Sequence, residues 1–542
     1  MSAFRSIRSV SRIPGPAIRF PPLKFSRRDK LLLTHPSAIP YHNKKKTTFS
    51  LLKGGLFMRI LYVDIDTLRP DHMGCYGYHR NTTPNLDKIA EEGVRFDRFY
   101  CSDAPCLPSR AALISGQFGI HNGAVGHGGT AGDRRLVGRE RGFRDRVDAH
   151  NFNRIFRQAG MHTASISSFA ERHSSYWYTA NFHETYNVGK CGNESGEEVL
   201  PVALDWIERN AEKDDWYLHL HLWDPHTPYR TPADFENPFA DEPLNTFITP
   251  EIFAAHKKTS CPHGLNEMNM FDDTTYPEFP KHPGRIDTYE DLRLLFDGYD
   301  CGIYYADWIL GQVFDALKKK GVYEDMAIIV TADHGENFGE IGVYSEHGTA
   351  DEATCRIPML MRWPGGPKGA VDTDFHYLLD LVPTMADLLG TPKWDKWDGQ
   401  SFAPVITEGK SAGRDHVIVS QMAHVCQRAV RFEDWIYIRT IHDGFRLYDR
   451  EMLFNLKSDP HEQFDVKDEH PDICAKAARM LLEWQEEMML TSESPVDPMW
   501  TVMFEGGPFH VVGEKDGYVQ RLMETGREEA GRALAARDYH TH

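Results

Sequence analysis

Four apolar runs of strand length, alternating with stretches of helical periodicity, constrain the fold of this chain more than any other feature. The runs cover 59–66, 163–167, 216–222 and 327–332, and helical patterns occupy 84–92, 110–115, 149–159, 197–210 and 289–320. Strands that are apolar throughout are buried on both faces, and their alternation with helices predicts a mainly parallel sheet covered by helices on both sides. Gly160, Gly321 and Gly390 fall where helix carboxyl caps are expected. With 542 residues, 41% of them hydrophobic, the chain has material for an extensive core.

Three of these runs stop at residues that carry chemistry. In open α/β sheets, ligands gather at the carboxyl ends of strands, so an acid placed there is a natural metal ligand. The run Ile60-Leu61-Tyr62-Val63-Asp64-Ile65-Asp66 offers Asp66, while Asp64, on the same side by period-two geometry, is either a partner or a strand-end residue. The run ending Thr331-Ala332-Asp333-His334-Gly335-Glu336 offers a second carboxylate, and hard cations such as calcium and magnesium take oxygen ligands. The third, Leu218 to Asp224, leads into Pro225-His226-Thr227-Pro228, where flanking prolines preorganise a histidine. His219 and His221 share one strand face and are read as packed core. Between the first two runs lies Cys106-Leu107-Pro108-Ser109-Arg110, a thiol at a predicted helix start. The helix amino end lowers a thiol or diol pKa and attracts anions, and Arg110 adds a permanent charge.

Cys106 to Arg110 resembles the C-x-P-S-R element of type I sulfatases, in which the cysteine is oxidised to formylglycine. The stretches Asp66 to Asp87, Asp333-His334-Gly335-Glu336, Pro225-His226-Thr227-Pro228, Ser345 to Gly365 and Glu451 to Glu462 are similar to further blocks of that family in the same order, over about 58–470. The resemblance implies an α/β, alkaline-phosphatase-like fold with a mainly parallel sheet flanked by helices and a smaller C-terminal antiparallel-sheet α+β subdomain. It implies hydrolysis of a sulfate ester to an alcohol or phenol plus inorganic sulfate, with Asp66, Cys106, Asp333 and His334 holding one divalent cation, Ca2+ first and Mg2+ or Mn2+ as alternatives. Cys106 and Arg110 would be catalytic, and His226 or His347 would protonate the leaving alcohol. One hydroxyl of the hydrated formylglycine would attack sulfur and the other would then expel sulfate, which makes a formylglycine-generating enzyme a required partner.

Three departures stand out. Thr67 replaces a common second aspartate, and His347 stands where many sulfatases have lysine, which predicts a charge that titrates near neutrality. A further family lysine is absent after Ala164, leaving Arg172 or His173 to bind substrate. Alternatives on the same fold are a phosphonate monoester or phosphodiester hydrolase and a non-catalytic sulfatase-like binding protein.

Residues 1–57 carry twelve Lys or Arg against Asp29 alone, a surplus of eleven; with a net charge of −18 for the chain, the remainder holds −29. That acidic body argues against nucleic-acid binding. The 1–57 segment reads as a disordered basic arm, a transit-like peptide or an extension upstream of a start at Met58. No apolar stretch approaches the roughly twenty residues of a membrane span, and nine scattered cysteines favour a reducing compartment, hence the cytoplasm. The predicted organisation is a catalytic domain over 58–390 with a lid-like insertion at 231–288, a smaller domain over 391–494 and a tail over 495–542, which packs over the pocket or against another subunit in an oligomer.

Overall fold

The computed structural model describes residues 58–134 and 149–540, so the expectations for 1–57 lie outside the described residues. The larger sheet has eight strands: β1 (Arg59–Ile65), β2 (Val94–Tyr100), β4 (His162–Ile166), β5 (Glu184–Tyr186), β6 (Trp216–Leu222), β7 (Ala327–Thr331), β10 (Met359–Arg362) and β11 (Ala370–Tyr377), where β3 (Asp103–Ala104), β8 (Asn337–Phe338) and β9 (Tyr344–Glu346) lie outside it. Their spatial order is β11-β2-β10-β7-β1-β6-β4-β5. All neighbours are parallel except β10, which runs antiparallel to both β2 and β7. The sheet is therefore mainly parallel, as its apolar runs require.

The centre explains the site. β1 lies between β6 and β7, with Asp64 opposite both His221 and Thr331, so the three strands end side by side. β6 and β7 are buried along their whole length, because helices such as Gly196–Asn210 and Tyr289–Lys319 cover the sheet. Ser195 and Thr288 cap those two helices, each with a reciprocal acid at the third helical position. Gly160, Gly321 and Gly390 take positive φ values of 88°, 70° and 65° at helix ends, the conformation a glycine cap serves.

The smaller sheet joins β12 (His416–Gln421), β13 (Cys426–Phe432), β14 (Trp435–His442) and β15 (Glu451–Asn455) in antiparallel order. It borrows its fifth strand, β3, from just before Cys106: Asp103 and Ala104 pair in parallel with Ser420 and Gln421. Helix Pro471–Thr491 covers one face, placing Cys474, Ala477 and Leu481 against Ile418, Val430, Tyr437 and Leu453. Within 231–288, residues 260–268 are buried, and Glu267 is held by Arg527 and Tyr518 of the tail. No helix among the described residues is long and apolar enough to cross a membrane.

Candidate active site

Cys106 is the first residue of helix Cys106–Ser115, whose ten residues are all buried. The helix is pinned to β7 because Ser109 Oγ donates to the Asp333 carbonyl at 2.6 Å. One turn along, Arg110 becomes the hub of the strand ends. Its Nε and Nη2 reach Asp64 at 3.0 and 2.9 Å, Nη1 lies 3.1 Å from Asp66 and also pairs with Asp333, and Nη2 donates to His221 Nε2 at 2.9 Å. Its guanidinium also stacks on Phe169, 4.7 Å from the ring centre. Arg110 is thus committed to three carboxylates, and its charge holds the site together more than it advertises for an anion.

The thiol does not behave as the helix start alone suggests. Burial, reinforced by the Asp66 charge, pushes Cys106 up to about 12, so the helix end is outweighed and the unmodified thiol is a weak nucleophile. Its Sγ lies 3.1 Å from His334 Nε2. His334 gives its other ring N–H to the Gly335 carbonyl at 2.8 Å, and burial together with His347 lowers it to about 3, which leaves Nε2 bare. Nε2 is also 3.3 Å from Asp333 and 3.9 Å from Asp66.

Asp66, Cys106, Asp333 and His334 offer ligand atoms that all lie within 4.8 Å of one another. Asp66 is fully buried, and neither of its oxygens receives a hydrogen bond, although Arg110 is near. Burial opposes its ionisation, but Arg110 and His226 outweigh that and keep the carboxyl well below its usual range. Burial raises Asp333 well above its usual value despite Arg110, and Asp66 and Asp64 add to the rise. Three buried carboxylates against one guanidinium, with three orphaned oxygens, one on Asp64 and two on Asp66, are costly unless another cation joins them. Two of the four donors are carboxylate oxygens, and oxidation of Cys106 would replace its sulfur by a third oxygen, so the set fits a hard divalent ion.

The histidines separate into two kinds. His226, at the turn after β6, places Nε2 4.0 Å from Asp66 and points Nδ1 at the Thr227 carbonyl. Burial pushes it well below its usual value, so it presents a neutral ring. His347 is clamped by acids: Nε2 is 2.9 Å from Glu346 and Nδ1 3.2 Å from Glu336, and its ring centre lies 4.1 Å from that of His334. Burial lowers its pKa, but Glu346 and its hydrogen-bond partners overcome this and hold it well above the usual value. The charge expected to titrate near neutrality is therefore fixed, as a lysine's would be.

Arg172 and His173 sit to one side. The Arg172 guanidinium lies 5.0 Å from the centre of the Trp223 ring and donates to the Cys191 carbonyl at 3.3 Å. His173 packs 4.8 Å from Phe169 and 5.3 Å from His127, and burial with Arg172 lowers it to about 3. Four site residues escaped the sequence reading. His221, read as core, is buried but also touches Arg110 and lies 3.4 Å from Asp66; its place opposite Asp64 in the register was the available signal. Glu336 and Glu346 clamp His347, and both lie inside motifs already noted. Arg230 donates to the His226 carbonyl at 3.2 Å, its Nε is buried and unpartnered, and burial beside Arg172 lowers it to about 10.

A family model described as Sulfatase matches residues 59–391, and one described as N-sulphoglucosamine sulphohydrolase, C-terminal, matches 339–487. An N-acetylglucosamine-6-O-sulfatase from Bacteroides thetaiotaomicron is 24% identical, covering 82% of this chain and 89% of its own. A choline-sulfatase from Rhizobium meliloti is 25% identical, with 70% and 76% covered. Among solved structures, the phosphonate monoester hydrolase of Agrobacterium radiobacter superposes with a TM-score of 0.62 at 19% identity, covering 80% of this chain and 96% of that one. A protein solved with its substrate D-glucosamine-2-N,6-O-disulfate gives 0.63 at 18% identity, with 82% and 99% covered.

Proposed function

This chain belongs to the sulfatase family, of the alkaline phosphatase superfamily, and from that premise we propose a sulfuric ester hydrolase that works through a formylglycine made from Cys106 and a divalent cation, Ca2+ first, at Asp66, Asp333 and His334. The observation that carries the proposal is the convergence of Cys106 and His334 on a carboxylate pair whose Asp66 oxygens have no hydrogen-bond donor. When bound, the cation supplies Lewis-acid polarisation and the modified residue supplies a nucleophilic hydroxyl.

The remaining work falls to this chain's own side chains. Arg110 spaces the carboxylates and fixes the helix on which residue 106 sits. His347, held charged by Glu346 and Glu336, donates to a sulfuryl oxygen or the leaving oxygen, while the neutral His226, its ring 5.3 Å from that of His347, helps orient the ester. Arg172 and Arg230 supply the positive potential that the absent family lysine would provide. Match to the N-sulphoglucosamine sulphohydrolase C-terminal model and likeness to an N-acetylglucosamine-6-O-sulfatase support a sulfated sugar as the substrate class to test first. Nine unpaired cysteines support a reducing compartment, in line with the cytoplasm.

The test is release of inorganic sulfate from sulfated amino sugars, choline sulfate and an aryl sulfate, set against an aryl phosphodiester, by protein coexpressed with a formylglycine-generating enzyme. We expect an aldehyde at residue 106 by peptide mass spectrometry and faster turnover of a sulfate ester. An unmodified thiol in an active enzyme, or a phosphodiester preferred over every sulfate, would overturn the proposal.

A further inference from the structure

Beside the carboxylate-rich centre, three loops deliver histidines to one point. His127 follows the short helix Gly119–Asn122, His424 lies in the turn between β12 and β13, and His510 comes from the tail, beyond both matched family models. Each offers a ring nitrogen, and all three nitrogens lie within 4.8 Å of one another.

The convergence is built. Helix Pro498–Phe504 sets Met499, Val502 and Met503 against Val125, Ala131, Met422 and Cys426, an apolar cluster that joins the same three segments. The backbones then lock together: His510 N donates to the Ala423 carbonyl at 3.1 Å, and Thr130 N donates to the Glu505 carboxylate at 3.1 Å. Gly128 passes so close to Phe509 that a Cβ there would run into its ring.

The rings are short of partners. His127 Nδ1 and His510 Nε2 share one hydrogen bond of 2.9 Å, which leaves His127 Nε2 and His424 Nδ1 buried with none. His424 is 4% exposed, and its other nitrogen faces Glu346 at 3.8 Å, an oxygen already engaged by His347. Burial and the neighbouring His510 push both His127 and His424 well below their usual values, so these rings are neutral and their lone pairs are free for a ligand.

We propose that His127, His424 and His510 form a second metal site, for a borderline transition cation of the Zn2+ class, that clamps the C-terminal tail to the rim of the active site. Three imidazoles suit zinc or cobalt and poorly suit calcium, which seeks oxygen. A carboxylate behind a ligating histidine is the usual orienting arrangement, and Glu346, 3.8 Å from the other His424 nitrogen, stands where a small turn of the ring would make that bond. The rings of His424 and His510 stack at 4.2 Å with 17° between their planes, so binding turns one of them edge-on to the ion.

The experiment uses untagged full-length protein, stripped with a chelator, resupplied with excess Ca2+ and titrated calorimetrically with Zn2+. Co2+ binding is followed by its visible absorption. Wild type should take up a single tight Zn2+ and show cobalt bands. H424A and H510A should each weaken Zn2+ binding at least tenfold and abolish the bands, whereas D333N should keep both. H510Q, which retains a hydrogen-bonding side chain, should fold with an unchanged near-ultraviolet spectrum and still lose the bands. Zn2+ binding that survives H510A and H510Q, or that disappears in D333N, would overturn the assignment.

Discussion

Single side chains decide whether this site holds together. Arg110 meets Asp64, Asp66, Asp333 and His221 at once, a fan of donors that an ammonium cannot reproduce. Arg110→Lys should therefore lower thermal stability by several degrees and activity by at least tenfold, read by calorimetry and initial rates on one preparation. His347 makes a different demand, because what matters there is charge between two acids. His347→Ala should reduce kcat about 10²–10³-fold, in the range of a lost acid catalyst, while His347→Lys should restore most of it. Equal losses in both variants would show that ring geometry matters more than charge. Little of this was legible in the sequence. Asp66, Cys106, Asp333, His334 and His226 stood out because each interrupts or ends a strongly patterned stretch. The state of His347 depends on Glu336, eleven residues away, reaching it only through the β8–β9 hairpin. His221 is core, as its strand pattern says, yet it also touches Arg110, because a histidine on a central strand can be both buried and part of a site.

At the scale of elements, apolar continuity exposed β1, β6 and β7, since strands buried on both faces leave an unmistakable run. β2, β10 and β11 gave weaker signals: β2 alternates buried with partly exposed residues, β10 has four residues, and β11 begins with exposed ones. The helix that bears Cys106 is capped by Gly116, whose φ is 68° and where a Cβ would run into the Trp397 ring. Gly116→Ala should cost about 1–2 kcal/mol through the left-handed backbone, more if Trp397 cannot move, measured as a shift in denaturation midpoint. The Arg428–Asp497 pair fastens the smaller sheet to the tail with two hydrogen bonds of 2.7 and 2.8 Å. Burial works against the Asp497 charge, but Arg428 outweighs it and lowers the pKa, so the pair stabilises the fold above the unfolded carboxyl value near 4 and that contribution fades as pH falls through the lowered one. Asp497→Asn should cost roughly 3 kcal/mol at pH 7, with the gap to wild type narrowing below about pH 4, as thermal melts across pH would show.

For the molecule as a whole, a cation bound at the orphaned Asp66 carboxylate, as proposed, would add directly to stability. At a hundred times its dissociation constant, a bound ion adds about 2.7 kcal/mol. Adding Ca2+ to chelator-treated protein should raise the melting temperature, and Asp66→Asn should remove that rise. A melting curve indifferent to Ca2+ in wild type would argue against the carboxylate centre as a cation site. The tail offered no pattern at all in the sequence, since its contribution is a docking of segments hundreds of residues apart.

The borrowed strand β3 sets an order of events. Although the Asp103 side chain is held locally by Ser102 and Gly119, residues 103 and 104 find their strand partners in Ser420 and Gln421, so the ladder leading into Cys106 is not complete until more than three hundred further residues have been made. Once they arrive, Cys106 is sealed, with 2% of the residue exposed. An enzyme that converts Cys106, as proposed, would therefore reach it more readily in the growing chain than in the closed fold.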